Sequence, residues 1–222
     1  VLSGWKKKYK NSNVISTKLD GVSGLFSTEG GVAKLYTRGN GIYGQDVSHI
    51  IRYIPSLVLL SQMKTDITIR GEFIISKDDF ADRFSENASN ARNFVSGVIN
   101  SKHSDNYDAI DFIVYEVIVF GDEDAIKPSR QFEILKEHKI PHALHEVGIK
   151  NTVLTNEYLS DLLVAWRGSY AYEIDGIIVA DDGVYERVVG EVKNPDHAFA
   201  FKMILSDQMA EAMVVGVIWS AS

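Results

Sequence analysis

Residues Ile110 to Phe120 form a nearly continuous apolar run rich in β-branched side chains. Such a run reads as a buried strand placed centrally in a sheet. The rest of the chain must then supply partner strands and cover. Strand signals dominate the first third. Val22 to Phe26 and Val32 to Tyr36 flank Thr28-Glu29-Gly30-Gly31, which reads as a hairpin turn, and Asp66 to Ile75 alternates. Helical spacing appears between them. Val47, Ile50, Ile51 and Ile54 recur at helical intervals, with Asp46 as cap and Pro55 as stop. Ser76-Lys77-Asp78-Asp79 opens a short helix, and Asn90 to Asn100 carries Phe94, Val95, Val98 and Ile99 on one face. Ser129 caps a helix stopped by Pro141, and Thr155 caps another closed by Gly168. Ile174 to Ala180, Val184 to Gly190, Ala198 to Leu205 and Met213 to Trp219 read as strands, with Asp181-Asp182-Gly183 as a tight turn. Antiparallel hairpins interleaved with helices predict an α+β fold, not a doubly wound parallel sheet.

Composition narrows the chemistry. A chain of 222 residues, 45% hydrophobic, can bury a sizeable core in one large or two small domains. Cysteine is absent, which excludes disulfides and cysteine-based zinc sites within it. His138, His142 and His145 cluster near a helix end without a regular ligand period, so they read as a surface helix-to-loop segment and not a metal set. No apolar run is long enough to span a membrane, and the start of the chain is not a signal peptide. The formal charge of −7 argues against a uniformly basic surface, and Lys6-Lys7-Lys8-Tyr9-Lys10 reads as a solvated tail. Tyr170-Ala171-Tyr172 reads as aromatic packing beside a strand.

The stretch with chemical promise is Thr17-Lys18-Leu19-Asp20-Gly21. A neutral lysine is a nucleophile, and shelter near other cations favours the neutral form. Asp20, two residues along extended chain, is expected on the same side as Lys18. Gly21 permits close backbone approach to a ligand.

Five stretches in order resemble the covalent nucleotidyltransferases, the superfamily of DNA ligases, RNA ligases and mRNA capping enzymes. They are Lys18-Leu19-Asp20-Gly21, Arg70-Gly71-Glu72, Ile113-Val114-Tyr115-Glu116, Asp175-Gly176-Ile177-Ile178-Val179 and Phe199-Ala200-Phe201-Lys202. Three further stretches narrow this to the adenylation domain of NAD-dependent DNA ligases: Thr37-Arg38-Gly39-Asn40-Gly41-Ile42-Tyr43-Gly44-Gln45-Asp46-Val47, Asn90-Ala91-Arg92-Asn93 with Gly97, and Pro195-Asp196-His197-Ala198-Phe199-Ala200-Phe201-Lys202. The resemblance implies the nucleotidyltransferase fold, with antiparallel sheets flanked by helices. It also implies that a lysine takes AMP from NAD and passes it to the 5′-phosphate of nicked double-stranded DNA, inside the cell.

On that resemblance Lys18 is the nucleophile, with Asp20 and Lys202 as its catalytic companions. Arg38, Arg92 and Lys202 supply positive charge to phosphate oxygens, and Glu72 accepts from a ribose hydroxyl. Asp175, with Glu72, is the candidate ligand for Mg2+ or Mn2+. The family pattern is broken at three positions. Ser16 stands where a glutamate is usual, Ala180 where a lysine is, and Asn100 where a second arginine is. The first two losses imply measurable but weak AMP binding with reduced preference over GMP, with Lys193 a candidate substitute. The expected layout is an N-terminal tail over 1–14, an adenylation domain over 15–212 and the start of a linker over 213–222. A nicotinamide-gripping domain before it and an oligonucleotide-binding barrel after it are expected outside this chain. Two other readings compete: an ATP-dependent polynucleotide ligase, and a nucleotide- or DNA-binding domain that has lost catalysis.

Overall fold

The structure is a computed structural model that describes residues 2–39, 43–86, 88–186 and 194–203. The strands among them are β1 (Asn13–Leu19), β2 (Val22–Ser27), β3 (Lys34–Thr37), β4 (Ile67–Ile74), β5 (Asp111–Phe120), β6 (His145–Ile149), β7 (Ile174–Asp181) and β8 (Ala198–Phe201). The helices are α1 (Leu2–Lys8), α2 (Pro55–Ser61), α3 (Lys77–Arg83), α4 (Ala91–Asn100), α5 (Pro128–Glu137) and α6 (Asn156–Ser169). The strands form two sheets of four, in the orders β6-β1-β7-β8 and β3-β2-β4-β5, and every pairing within them is antiparallel. This is the expected α+β architecture.

Local chemistry explains three of the helix starts. Ser76 Oγ accepts from the Asp79 N–H at the start of α3, Asn90 Oδ1 from Asn93 at α4, and Thr155 Oγ1 from Tyr158 at α6. Each cap satisfies a donor that the first helical turn leaves unpaired. Val95, Val98 and Ile99 of α4 and Leu159, Leu163 and Trp166 of α6 are buried, as their spacing demands. They join a core that includes Phe26, Phe73, Phe112, Ile15 and Ile69.

Several elements differ from the sequence reading. β5 is an edge strand of its sheet, not a central one. Its outer edge is nonetheless covered: the Val114 N–H donates to Pro141 O and the Ala143 N–H to Val114 O, both at 2.9 Å. That cover explains an apolar run that looked central. Pro55 stops a 3₁₀ turn over Ser48–Tyr53 but also opens α2, where its missing N–H is no loss. Pro128, not Ser129, occupies the first position of α5, and Ser129 donates its N–H to Asp182 Oδ1. The strand expected after Asp181-Asp182-Gly183 does not begin at Val184 to Glu186. β7 pairs with β8 instead, Ala180 opposite Ala198, and Tyr185 stacks on His197 at 4.1 Å. The remainder of that strand and the one over Met213 to Trp219 lie outside the described residues, as does the expected linker.

The basic run is not a loose tail, although Lys7, Lys8 and Lys10 stay solvent-exposed. Leu2–Lys8 is helical, and Trp5 packs edge-on against Phe199 at 4.9 Å while its indole N–H donates to Asp196 O. Tyr9 is buried beneath it, and Lys6 donates to Leu154 O at 2.7 Å. Burial of two aromatic rings gives this end of the chain a fixed seat that its charge pattern did not advertise.

Candidate functional site

Lys18 lies near the end of β1, directly opposite Gly176 of β7. Asp175, one residue before that glycine, accepts from Lys18 Nζ at 2.9 Å and 3.1 Å on its two oxygens. Lys202, just past β8, donates to Asp175 Oδ2 at 2.7 Å. One carboxylate thus holds two ammonium groups. Burial pushes Asp175 up, but the hydrogen bonds and charges of Lys18 and Lys202 outweigh it and hold the acid below its ordinary value.

Beyond β1 the chain turns to the second sheet. Gly21 sits so close to β4 that a Cβ there would lie 2.1 Å from Phe73 O. Glycine is therefore required by backbone approach, and its φ is not in the left-handed region. The Gly21 N–H donates to Glu72 Oε1 at 3.2 Å. Burial drives the Glu72 carboxyl up to about 7, against the opposing pull of the Gly21 N–H, Lys18 and Arg92. Asp20 accepts from Arg92 Nη1 at 2.9 Å, so α4 and the β1–β2 turn are tied together. Asp20 is not in the strand with Lys18, and its partner in the structure is the arginine.

Lys18, Lys202, Asp175, Glu72, Asp20 and Arg92 are therefore one electrostatic neighbourhood. Arg38 borders it through Ser23, which lies opposite Glu72, but forms no ion pair with it. Its backbone N–H donates to Ser23 O, and its exposed side chain makes no ion pair with another described residue. Gly39 takes a left-handed φ of 55°, and Asn40 to Ile42 lie outside the described residues. Lys193 lies outside them as well. Ser16 is buried at 8% exposure and Ala180 is half-buried, both on the face of the sheet that carries Lys18.

Two residues escaped the sequence reading as site components. The Tyr115 hydroxyl lies 2.6 Å from Ser23 Oγ, and burial drives it up to about 12, with Glu72 close enough to contribute. The alternation of β2 and β5 puts both on one face, but only the sheet pairing shows that they meet. His145 is also not on a surface loop: it opens β6, half-buried, with its ring flat on Phe132 at 3.9 Å. Among the described residues no three His, Asp or Glu side chains converge as a metal set. Tyr170 and Tyr172 pack edge to face at 5.5 Å, as expected for aromatic packing.

An anion entering between Lys18 and Lys202 would compete with Asp175 for two cations. That arrangement suits a phosphate better than a carboxylate ligand or an apolar molecule, because phosphate offers several strong acceptors at once.

Residues 2–205 match the family described as NAD-dependent DNA ligase adenylation domain. The chain is 40% identical over its full length to a DNA ligase of Acanthamoeba polyphaga mimivirus, of which it covers 34%. Against a DNA ligase of Borreliella burgdorferi strain ZS7 the identity is 31%, over 93% of this chain and 34% of that protein. The chain thus spans about a third of the length of these relatives. Among solved structures, the ligase domain of M. tuberculosis LigD superposes with a TM-score of 0.56 at 14% identity, over 88% of this chain and 55% of that one. An archaeal ATP-dependent RNA ligase gives 0.55 at 13% identity, over 91% and 45%. At such identities the likeness is one of fold.

Proposed function

The chain belongs to the family of NAD-dependent DNA ligase adenylation domains, and from that premise we propose that it accepts AMP from NAD on Lys18 as the first step of sealing nicked double-stranded DNA. The observation that carries the reading is the Lys18–Asp175–Lys202 cluster. It places a nucleophile and a second cation on one carboxylate, where the phosphate of a nucleotide would be the natural competitor.

The steps assign a task to each group. The α-phosphate displaces Asp175 from the two ammonium groups. Lys18 first loses one proton to solvent to become the amine; its nitrogen bonds to phosphorus as the phosphorus–oxygen bond to nicotinamide mononucleotide breaks, and the second proton on that nitrogen passes to solvent. Lys202 and Arg92 neutralise charge that grows on the phosphate oxygens. Arg38, exposed and without an ion pair to another described residue, is a candidate to join them. Glu72 is suited to a ribose hydroxyl, and its raised pKa lets it act as acceptor or donor near neutral pH. Asp20 holds Arg92 in place.

Asp175 has the donor chemistry for a hard divalent cation such as Mg2+ or Mn2+, but both its oxygens are engaged by ammonium groups. No dedicated cage surrounds it among the described residues. The form compatible with these residues is an ion that keeps most of its waters and is held by Asp175 together with substrate phosphate. When bound, it would neutralise phosphate charge. In the wider reading, domains outside this chain would grip the nicotinamide half and help bind nicked double-stranded DNA within the cell. No helix among the described residues is long and apolar enough to cross a membrane.

Intact mass after incubation with NAD, and separately with ATP, tests the proposal. A gain of one AMP with NAD, slow because the nicotinamide-gripping domain is expected outside this chain and lost in Lys18→Ala, is the expected result. A gain with ATP alone would favour the ATP-dependent reading. No adduct from either donor, with nucleotide still bound, would favour the binding domain without catalysis.

A further inference from the structure

The face of the first sheet that carries Lys18 also carries a histidine for which the steps above have no use. We propose that His145 is the residue that selects adenine, accepting a hydrogen bond from its exocyclic amine. The inference rests on the nucleotide reading above and assigns the base specificity of that same site.

Register places His145 on the site. Ser16 of β1 lies directly opposite His145 of β6 on one side and Ile178 of β7 on the other. Lys18 lies opposite Gly176, and Val14 opposite Ala180. Directly opposed residues share a face, as do residues two apart along a strand. Lys18, Ser16, His145, Ile178 and Ala180 therefore present one surface. His145 is a diagonal neighbour of Lys18, about 7–8 Å away between backbones by ordinary sheet geometry. Gly176, Ser16 and Ala180 are small, so their own side chains take up little room over that surface.

The chemistry of His145 is equally restricted. Its Nδ1 lies 3.0 Å from Ala143 O. A carbonyl oxygen only accepts, so Nδ1 carries the hydrogen and Nε2 of the neutral ring is a lone-pair acceptor. Burial lowers the pKa of the ring, and the nearby His142 and Lys136 lower it further against the Ala143 bond. The stack on Phe132, tilted by only 14°, fixes the ring plane. Nε2 has no hydrogen-bond partner among the described residues. What results is a half-buried acceptor held rigid at one nucleotide's reach from the nucleophile. Adenine offers an N–H donor at its six-position, whereas guanine offers an acceptor oxygen there. Placing that oxygen against Nε2 would leave both unpaired, which is how a built polar site rejects the wrong analogue. His145 would thus restore selectivity that Ser16 and Ala180 forfeit.

Calorimetric titration of the 222-residue chain with AMP, GMP and purine riboside 5′-monophosphate decides the matter. The parent should bind AMP about tenfold tighter than either of the others. In His145→Leu the ratios should collapse to about one through weaker AMP binding, and His145→Gln, which keeps an acceptor, should recover part of the preference. Full preference retained in His145→Leu overturns the assignment. So does equal binding of AMP and purine riboside monophosphate by the parent, a result that needs no variant to fold. Either outcome leaves the nucleotide reading standing. Failure of the parent to bind any of the three, with no AMP adduct from NAD or ATP, overturns the nucleotide reading itself and this inference with it.

Discussion

Glu72→Gln should make the protein more stable at alkaline pH and erase part of its pH dependence. Burial raises the folded-state pKa of Glu72 from an ordinary 4.5 to about 7. The folded state therefore binds more protons than the unfolded state between those values, and stability falls as pH rises through that window. Each pH unit across it is worth about 1.4 kcal/mol, so the whole window is worth at most about 3 kcal/mol. The cost is fully present above the folded pKa and absent below the unfolded one. Glutamine keeps the acceptor that Glu72 Oε1 offers to the Gly21 N–H but cannot ionise. The variant should match the parent at pH 4.5 and exceed it by about 2–3 kcal/mol at pH 8, or roughly 4–12 °C in Tm for a domain of this size. Urea unfolding followed by tryptophan fluorescence at pH 4.5, 6, 7 and 8 measures the difference directly. Parallel pH profiles for parent and variant would refute the argument, because other titrating groups are common to both and cancel.

Three further outcomes follow from the site. Lys18→Ala should abolish the AMP adduct while changing stability by less than about 1 kcal/mol, since it removes one partly exposed ion pair; an adduct mapped to another lysine by peptide mass would sink the assignment. Asp175→Asn should leave two ammonium groups without their shared carboxylate. Because the folded pKa of Asp175 is depressed, its contribution is present above the ordinary 3.8 and lost as pH falls through the folded value. The variant should accordingly be less stable than the parent at pH 7, with the gap closing in acid; a gap that is constant down to pH 2 contradicts the pairing. Gly21→Ala drives a Cβ to within 2.1 Å of Phe73 O, a backbone atom that cannot step aside. A loss of about 1–3 kcal/mol in urea unfolding is expected from such overpacking, and an alanine variant as stable as the parent would show that the turn adapts.

Much of the fold is legible without coordinates wherever the governing interaction is short in sequence. Ser76, Asn90 and Thr155 cap their helices through donors three residues away, so residue type and spacing suffice. The hairpin of β2 and β3 is likewise local, set by the glycines between them. The family pattern names Lys18, Asp20, Arg38, Glu72, Arg92, Asp175 and Lys202 as candidates by their order alone.

What needed tertiary structure is every statement about which distant groups meet. β5 reads as central because both its faces and its outer edge are covered, but its cover comes from Pro141 and Ala143 and not from another strand of the sheet. The helix at Leu2–Lys8 is seated by Phe199 and Asp196, nearly two hundred residues onward, while its own charges suggest a tail. Asp175 reaches back 157 positions to Lys18 and forward 27 to Lys202, and no local pattern reveals that one carboxylate serves both. His145 lies in β6 beside Ser16, not in a loop, because of a single register, Ser16 against His145. Sequence fixes side-chain chemistry and local conformation, since these depend on neighbours a few bonds away. Pairing of strands depends on burying all the apolar faces at once, a condition on the whole chain. The charges are placed by that condition, and with them the chemistry.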